Sequence, residues 1–424
     1  MSAVVLFVLF FVILLFGLPI SVTMGISSIL PWVVDNTFAA NLVMVLRQMM
    51  SGVNSLTLLA IPMFMLSGTI MARGGISKKL FDVFTYFVGN VIGGVPCAVI
   101  ITCLFYGAIS GSAPATVAAV GAMTIPVMVN LGYSKEFSTA VVTVAGGLGC
   151  IIPPSIPFVL YSTSAGTSVG DMFIAGIVPG LLLGGLLMIY AVYYSARRGE
   201  DRVRIKAVMG ELRGQGFLRL FLDSFWALLT PVIILGSIYG GIATPTEAAV
   251  ISVYYALFVS VFIYKTIKLS EIPAVFMESL KTIAPILFVL SAAVSFGRVL
   301  ALMNVPQMVG TWITSSFSSK WTILLVVNIF LLFVGMVMDA APPILAPVMT
   351  AIGVDLVHFG IMLVVNLAVG FVTPPVGINL FVASSMTKIP VIRIAKVCIP
   401  FTILFAIGLV LIVIFPQISL CLIR

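Results

Sequence analysis

Apolar runs long enough to cross a bilayer follow one another almost end to end along this chain, with the charged residues standing between them. In hydrocarbon every backbone N–H and C=O must find a partner within the protein, so only helices and closed barrels span a membrane. The weak alternation that marks the strands of a membrane barrel is missing from the sequence. The chain is therefore predicted to be an all-α polytopic membrane protein.

Charge and motifs exclude several function classes. The 21 Lys and Arg exceed the 13 Asp and Glu, but they are dispersed over short loops and helix ends, which is typical of residues that orient a membrane protein and argues against nucleic-acid binding. The sequence contains no G-x-S-x-G, H-E-x-x-H or P-loop pattern, so we expect no enzyme. The one histidine, His358, stands beside Asp355, where a solvated loop residue is favoured over a proton relay.

The chain consists of two related halves. GCIIPPSIPFVLYSTS (149–164) aligns without a gap with GFVTPPVGINLFVASS (370–385), and the register continues until Pro179 faces Pro400. Upstream, SGSAPATVAAVGAMTIPVM corresponds to MDAAPPILAPVM, and FGLPISV corresponds to IATPTEA. Matched breaks of this kind indicate an internal repeat.

The basic loops exchange sides between the halves. RGGISKK (73–79) corresponds to the uncharged LALMNVPQM (300–308), whereas TKIPVIRIAK (387–396) corresponds to TSVGDMFIAG (167–176), which carries one acid. Because Lys and Arg mark the cytoplasmic face, the second repeat is predicted to be inverted relative to the first. The basic linker between the halves would then be cytoplasmic, and both termini would lie outside.

Hydropathy, together with the positions of Pro, Gly and charged residues, predicts the individual segments. A membrane crossing is expected around 80–96 and a broken helix over 137–164, while hairpin-like segments cover 97–130, whose entry and exit sides stay open. The segments 38–50 and 271–281 look amphipathic and are predicted to lie along an interface as arms.

The helix breaks carry the chemistry. Pro153 and Pro154 donate no backbone hydrogen bond, so carbonyls before them lose their helical partners. Such backbone is tolerated at membrane depth only inside protein or at a polar cavity, and paired breaks in inverted repeats are the architecture of secondary transporters. Freed carbonyls can coordinate Na⁺, while half-helix N-termini attract an anion.

Three charged residues are candidates for a functional role. Asp339 follows an apolar run and precedes a Pro-Pro break, so an intramembrane carboxylate with a Na⁺ or gating role is predicted. Glu247 begins a predicted helix, where a capping role and a functional role are both open. Arg298 either attracts an anionic substrate or extends its charge to the membrane interface.

Five ordered motifs, GIATPTEAAV, SGSAPATVAAVGAMTIPVM, GCIIPPSIPFVLY, MDAAPPILAPV and GFVTPPVGINLFV, together resemble the large membrane subunit of tripartite ATP-independent periplasmic (TRAP) transporters. The resemblance implies a Na⁺-coupled importer of organic acids in the bacterial inner membrane, with periplasmic termini. It also implies two partners, a small four-helix membrane subunit, expected here as a separate chain, and a periplasmic substrate-binding protein. The family carries sialic acid, C4-dicarboxylates and other carboxylates, and the motifs lean toward the sialic acid branch.

The family's elevator mechanism slides a transport domain against a scaffold. On that basis the first repeat (1–195) divides into scaffold (about 1–80) and transport elements (about 81–180), the linker covers 196–222, and the second repeat (223–424) divides into scaffold (about 223–305) and transport elements (about 320–395). The residues expected to contact substrate are Ser112, Thr116, Ser155, Asn379 and Arg298. The residues expected at Na⁺ are Ser110, Gly111, Gly149, Pro153, Asp339, Gly370, Thr373 and Pro374.

Three alternatives stay open at this point. A stand-alone Na⁺/dicarboxylate elevator transporter would need no binding protein, a channel would use the breaks as a filter, and a scaffold protein would not transport.

Overall fold

The computed structural model describes residues 2–214, 216–317, 319–336, 345–374 and 376–423, and the regular elements in these ranges are helices. Six of them are long and apolar enough to cross a membrane, and a seventh span results if the bent pair Leu42–Val53 and Thr57–Arg73 is counted as one. The all-α prediction is confirmed over the described residues.

The helices follow the chain in two successions. The first repeat contains α1 (Ala3–Leu15), α2 (Ile20–Val34), α3 (Leu42–Val53), α4 (Ala60–Arg73), α5 (Ile76–Val88), α6 (Gly94–Ser110), α7 (Ala113–Asn130), α8 (Lys135–Ala145), α9 (Ile156–Ala165) and α10 (Val169–Arg198). The linker forms α11 (Arg202–Gly214). The second repeat contains α12 (Phe217–Tyr239), α13 (Pro245–Phe258), α14 (Ile272–Leu302), α15 (Val305–Ser316), α16 (Lys320–Gly335), α17 (Ala346–Ala351), α18 (Leu356–Gly370), α19 (Ile378–Thr387), α20 (Val391–Ile414) and α21 (Gln417–Leu420).

The two repeats exchange packing partners. Helix α4 packs on α13, and the corresponding helices α14 and α2 pack on each other. In the same way α8 packs on α20 while α18 packs on α10. The long helices α10 and α20 contact one another, and each contains one of the matched prolines, Pro179 or Pro400, in its interior. Such reciprocal pairs result when two similar halves are related by a pseudo-two-fold axis.

The repeats differ at one place. In the first repeat α3 is followed by a 63° bend into the helical segment Thr57–Arg73. In the second repeat the corresponding chain forms the single 31-residue helix α14. The prediction of a separate amphipathic arm over 271–281 is therefore wrong for the second repeat, since most of that stretch forms the first turns of a longer helix. The predicted segment 38–50 does form its own helix, α3.

The chain between α5 and α6 turns rather than crosses. Helix α5 ends at Val88, and Gly93, with φ of 71°, precedes α6. A left-handed backbone conformation suits glycine and stops a helix. The predicted crossing over 80–96 is therefore wrong, because it spans the end of one helix and the start of another.

His358 also departs from the prediction. It lies in the first turn of α18, is 3% exposed, and its Nδ1 is 3.1 Å from the Oγ of Ser419. The backbone N–H of His358 donates to Asp355, which caps the helix. His358 is thus a buried helix residue and not a solvated loop residue, because capping by Asp355 starts the helix earlier than the charge pattern indicates.

Candidate functional site

The first element of the site is the tip of the α6–α7 hairpin. Helix α6 ends at Ser110, Gly111 with a φ of 64° then reverses the chain, and α7 begins after Ser112 with Pro114 in its first turn. The Thr116 Oγ1 donates to the carbonyl of Ser112 at 2.8 Å and lies 3.1 Å from the Ser110 Oγ. The two hydroxyls therefore brace the tip from within.

The second element is the break between α8 and α9. A 3₁₀ turn over Gly146–Cys150 follows α8, and α9 begins after Ser155 with Pro157 in its first turn. The Ser155 Oγ donates to the Cys150 carbonyl and accepts from the Phe158 N–H, so it satisfies both sides of the break. A serine followed two residues later by proline thus stands at the start of the helix after each interruption, because proline fits the first turn. Of the two serines, Ser155 caps its helix with its side chain, whereas Ser112 does not.

Hairpin tip and break are in contact. The Ile156 N–H donates to the Gly111 carbonyl at 3.1 Å. A Cβ on Gly149 would overlap the Thr116 Oγ1 and lie 3.0 Å from the Ser112 carbonyl oxygen. Glycine at 149 is therefore required for the backbone of the break to reach the hairpin.

The second repeat repeats this contact. A Cβ on Gly370 would overlap the carbonyl carbon of Gly335, just as a Cβ on Gly107 would lie 2.6 Å from the Cα of Gly149. The Gly377 N–H lies 3.4 Å from the Met336 carbonyl it donates to, and α19 begins after Gly377. Thr373 donates its hydroxyl back to Val369 at 2.7 Å, and Pro374 is exposed.

The two breaks meet each other. The Nδ2 of Asn379, at the start of α19, donates to the carbonyl of Thr143 in α8 at 3.1 Å. Asn379 is fully buried, and its Oδ1 has no hydrogen-bond partner among the described residues. Beside this link a Cβ on Gly147 would lie 3.5 Å from the Ala368 carbonyl. The matched breaks therefore converge, as the inverted repeats predict.

A cavity of about 270 Å³ lies where these elements face α14 and α2. Three helices begin at its wall: α7 at Ala113, α9 at Ile156 and α19 at Ile378. The opposite wall is the apolar face Pro285 to Ala293 of α14 together with Ile20. Because helix N-termini carry partial positive charge, this convergence favours an anion in the cavity. The Ile156, Phe158 and Asn379 N–H groups already have partners within the protein, so at α9 and α19 the attraction comes chiefly from the helix dipole.

The predicted site residues divide into three groups. Ser112 and Gly111 line the cavity. Buried around it and held by neighbouring backbone are Ser110, Thr116, Gly149, Pro153, Ser155, Gly370 and Asn379. Of the remaining four, Thr373 is half-buried, Pro374 is exposed, Arg298 is exposed on α14 beyond the stretch that lines the cavity, and Asp339 lies outside the described residues.

Glu247 has a defined structural role. Its Oε2 accepts from the Thr244 N–H at 2.8 Å, while the Glu247 N–H donates to the Thr244 Oγ1 at 3.3 Å. This reciprocal pair is a capping box at the start of α13. Of the two roles left open by the sequence, the structure shows capping.

Three residues of the site were not predicted from the sequence. Gly107 and Gly335 contact the breaks, and Thr143 supplies the carbonyl that Asn379 binds. When the alignment of the two hairpin segments is extended upstream, Gly107 corresponds to Gly335. The sequence alone could therefore have pointed to these two glycines. The role of Thr143 rests on a backbone carbonyl, which no side-chain pattern reveals.

Comparison with known proteins identifies relatives over nearly the whole chain. A family model described as the DctM component of tripartite ATP-independent periplasmic transporters matches residues 7–418. The C4-dicarboxylate TRAP transporter large permease protein DctM of Pseudomonas aeruginosa is 42% identical over 86% of this chain and 86% of its own length. The isethionate TRAP transporter permease protein DctMQ of Oleidesulfovibrio alaskensis is 40% identical over 93% of this chain, which spans 62% of that relative. The sialic acid TRAP transporter large permease protein SiaM of Vibrio cholerae is 32% identical over 96% of this chain and 95% of its own length.

Among solved structures, the crystal structure of the Alcanivorax borkumensis YdaH transporter superposes with a TM-score of 0.59 at 13% sequence identity. The superposition covers 89% of this chain and 88% of the YdaH chain. The likeness therefore concerns the fold.

Proposed function

This chain belongs to the DctM component family of tripartite ATP-independent periplasmic transporters, and on that premise we propose that it is the large membrane subunit of a Na⁺-coupled importer of a small organic acid. Its partners would be a small four-helix membrane subunit and a periplasmic binding protein that delivers the substrate. The complex would act in the bacterial inner membrane, with both termini of this chain in the periplasm.

One observation carries the proposal, namely that α7, α9 and α19 all begin at the same cavity. Each helix N-terminus attracts negative charge, by about 0.3–1 kcal/mol in exposed settings and more where water is excluded. Three such ends around one cavity would hold a carboxylate or sulfonate without an arginine. This agrees with the position of Arg298, which lies away from the cavity.

The cavity favours a small acid over a sugar acid. The described residues that line it include one hydroxyl side chain, Ser112, and the wall formed by α14 is apolar. A ligand with many hydroxyls would leave several of them unpaired there, at about 1–3 kcal/mol each. We therefore propose a C4-dicarboxylate or similar short acid, as the name of the 42% identical relative supports, in place of sialic acid.

Oxygen atoms suited to Na⁺ surround the breaks. The buried Oδ1 of Asn379 has no hydrogen-bond partner among the described residues, and the hydroxyls of Ser110 and Thr116 lie at the hairpin tip. Na⁺ prefers such hard, uncharged or carboxylate oxygens. The Na⁺ ligands would come from the backbone and side chains of Ser110, Gly111, Gly149, Pro153, Gly370, Thr373 and Pro374, together with Asp339.

An elevator movement fits the position of the cavity. The hairpin, the breaks, α8 and α18 pack together, and they would form the transport body. Helices α2 and α14, which pack on each other across the cavity, would belong to the scaffold. The scaffold wall facing the cavity presents Pro285, Ile286 and Val289, side chains that make no hydrogen bonds to break. An apolar wall would let the transport body slide past it without leaving buried polar groups unpaired.

Reconstitution into proteoliposomes tests the proposal. This chain is reconstituted with its small subunit, and uptake of a labelled C4-dicarboxylate is measured with an inward Na⁺ gradient, with and without the binding protein. Uptake is expected only when Na⁺ gradient and binding protein are both present. Uptake by this chain alone would favour the stand-alone transporter, single-channel currents would favour the channel, and saturable uptake unaffected by removing Na⁺ would contradict the coupling.

A further inference from the structure

Three separate segments of the chain converge on the carboxylate of Glu200. This residue follows α10 at the start of the linker, and its side chain is 2% exposed. Its Oε1 accepts from the Gly93 N–H at 2.9 Å and from the Tyr133 hydroxyl. Its Oε2 lies 3.3 Å from the Arg202 Nε. A buried carboxylate that accepts hydrogen bonds from two distant segments and also pairs with Arg202, two residues along the chain, is a built contact and not a surface ion pair.

The segments that Glu200 joins are the two ends of the site hairpin. Gly93 directly precedes α6, and Tyr133 follows the end of α7 at Asn130. Both ends of the hairpin therefore lie at one carboxylate, so the hairpin enters and leaves on the same side. The sequence left this question open. The basic residues Arg197, Arg198 and Arg202 lie close to Glu200 in the chain. Because Lys and Arg mark the cytoplasmic face, we place that side in the cytoplasm.

The local backbone is shaped for this contact. Gly93 has a φ of 71°, and a Cβ there would lie 2.7 Å from the Cα of Val192 in α10. Glycine thus lets the loop approach α10 closely enough for its N–H to reach Glu200. Burial, and then the bond to Glu200, raises the pKa of the Tyr133 phenol, so the hydroxyl stays a donor at neutral pH.

The linker helix adds a second attachment. The Arg202 Nη1 donates to the Asn90 carbonyl at 2.8 Å, and the Arg213 Nη2 donates to the Tyr86 carbonyl at 3.2 Å. Between these arginines Ile205 and Met209 are buried in the face of α11 that packs on α5. The linker is therefore fixed along α5 and up to the base of the hairpin.

Helices α6 and α7 connect the base of the hairpin, at Glu200, to its tip. Helix α6 has 17 residues and α7 has 18, and each runs as one helix between the Glu200 contact and the tip at Ser110 and Ser112. Pro126 removes one backbone hydrogen bond in the half of α7 that is nearer the base. A packed helix transmits a displacement at one end to the other. The distance between the two helix ends at the base thus sets the position of the tip hydroxyls and carbonyls.

We propose that Glu200 is a positioning residue for transport, a carboxylate that closes the cytoplasmic base of the α6–α7 hairpin and thereby holds its tip in the geometry that binds Na⁺. The Na⁺ part of this inference rests on the proposed function. The closure of the hairpin by Glu200 does not.

Hydrogen–deuterium exchange on the purified protein in lipid nanodiscs tests the closure without any transport assay. Glu200→Gln and Tyr133→Phe are compared with Glu211→Gln, the matched control, at an exposed glutamate on the linker helix α11. Loss of a charge-assisted hydrogen bond is expected to speed exchange by about tenfold or more in the segments 89–94, 109–116 and 131–134. Exchange in Glu211→Gln is expected to match the unmodified protein.

Uptake in proteoliposomes then separates positioning from general instability. The half-saturating Na⁺ concentration is expected to rise by about tenfold in Glu200→Gln, and to return toward the original value in Glu200→Asp, which keeps the charge. Unaltered exchange at the hairpin tip in both Glu200→Gln and Tyr133→Phe would overturn the closure. Faster exchange together with an unchanged Na⁺ dependence, in a protein that transports, would overturn the positioning role. If neither the parent protein nor any variant transports, the exchange rates still test whether Glu200 closes the base of the hairpin. The absence of transport then counts against the proposed function.

Discussion

Gly370 lies so close to Gly335 that a Cβ on Gly370 would be 2.5 Å from the Gly335 carbonyl oxygen and 2.6 Å from the backbone nitrogen of Met336. The same contact exists in the first repeat between Gly149 and Gly107. Each repeat therefore presses the backbone of its broken helix against the backbone of its hairpin. These contacts hold each broken helix against its own hairpin, and the bond from Asn379 to the Thr143 carbonyl then joins the two repeats.

Replacing Gly370 with alanine is expected to destabilise the protein by about 1–3 kcal/mol, because a methyl group there overlaps backbone that cannot rotate away. A thermal unfolding assay in detergent measures the effect. Gly185→Ala is the control, since a Cβ at this helical position meets no atom within 4 Å. Equal melting temperatures for the two variants would contradict the close contact.

Thr116→Val keeps the shape of the side chain but removes the hydroxyl that braces the hairpin tip. We expect a loss of about 1 kcal/mol in stability and a raised half-saturating Na⁺ concentration in uptake assays. Thr163→Val is the matched control, because the Thr163 hydroxyl makes the same kind of bond, to the Val159 carbonyl at 2.8 Å, on an exposed part of α9. If both variants bind Na⁺ equally well, Thr116 has no role at the ion site.

Asn379→Leu removes the side-chain link between the two breaks and leaves the Thr143 carbonyl without that donor. A cost of about 1–3 kcal/mol is expected because the lost donor is buried, and transport is expected to fall with it. Thermal unfolding and uptake are measured in parallel against Asn54→Leu, at an exposed helix end. A variant as stable and active as the parent would show that the breaks are held together by other contacts.

Ala293→Phe introduces a large side chain into the scaffold wall of the cavity. Uptake is expected to fall strongly while stability changes little, because the added ring occupies space that is empty in the structure. The control is Leu280→Phe, at a position of α14 that is 53% exposed. Full activity in Ala293→Phe would place the substrate elsewhere.

Asp339→Asn tests the carboxylate that the sequence singles out beside the second Pro-Pro break. Because an intramembrane carboxylate is costly unless it binds a cation or hydrogen bonds, we expect the substitution to abolish Na⁺-driven uptake in a protein that still folds. Asp171→Asn, in the first turn of α10, is the comparison. Unchanged uptake in Asp339→Asn, with normal expression, would favour a protein that does not transport through this site.

Each sequence-based prediction that was wrong failed for a local structural reason. The crossing over 80–96 was wrong because hydropathy does not show that α5 ends at Val88 and that a left-handed glycine, Gly93, starts a new helix. The arm over 271–281 was wrong because its charges, Glu271, Glu278 and Lys281, resemble those of a surface helix although the helix continues to Leu302. His358 was misplaced because one capping residue decides where α18 begins.

The amino-acid sequence by itself determined that the chain is helical, membrane-embedded and built from two repeats with matched breaks. These features depend on hydropathy, on proline and glycine, and on the placement of basic residues, all of which act over a few neighbours. Only the tertiary structure decided that Asn379 reaches the Thr143 carbonyl across 236 residues, that three helices begin at one cavity, and that Glu200 closes the hairpin. Such contacts join backbone groups far apart in the chain, and any residue can supply a carbonyl, so no local pattern specifies them.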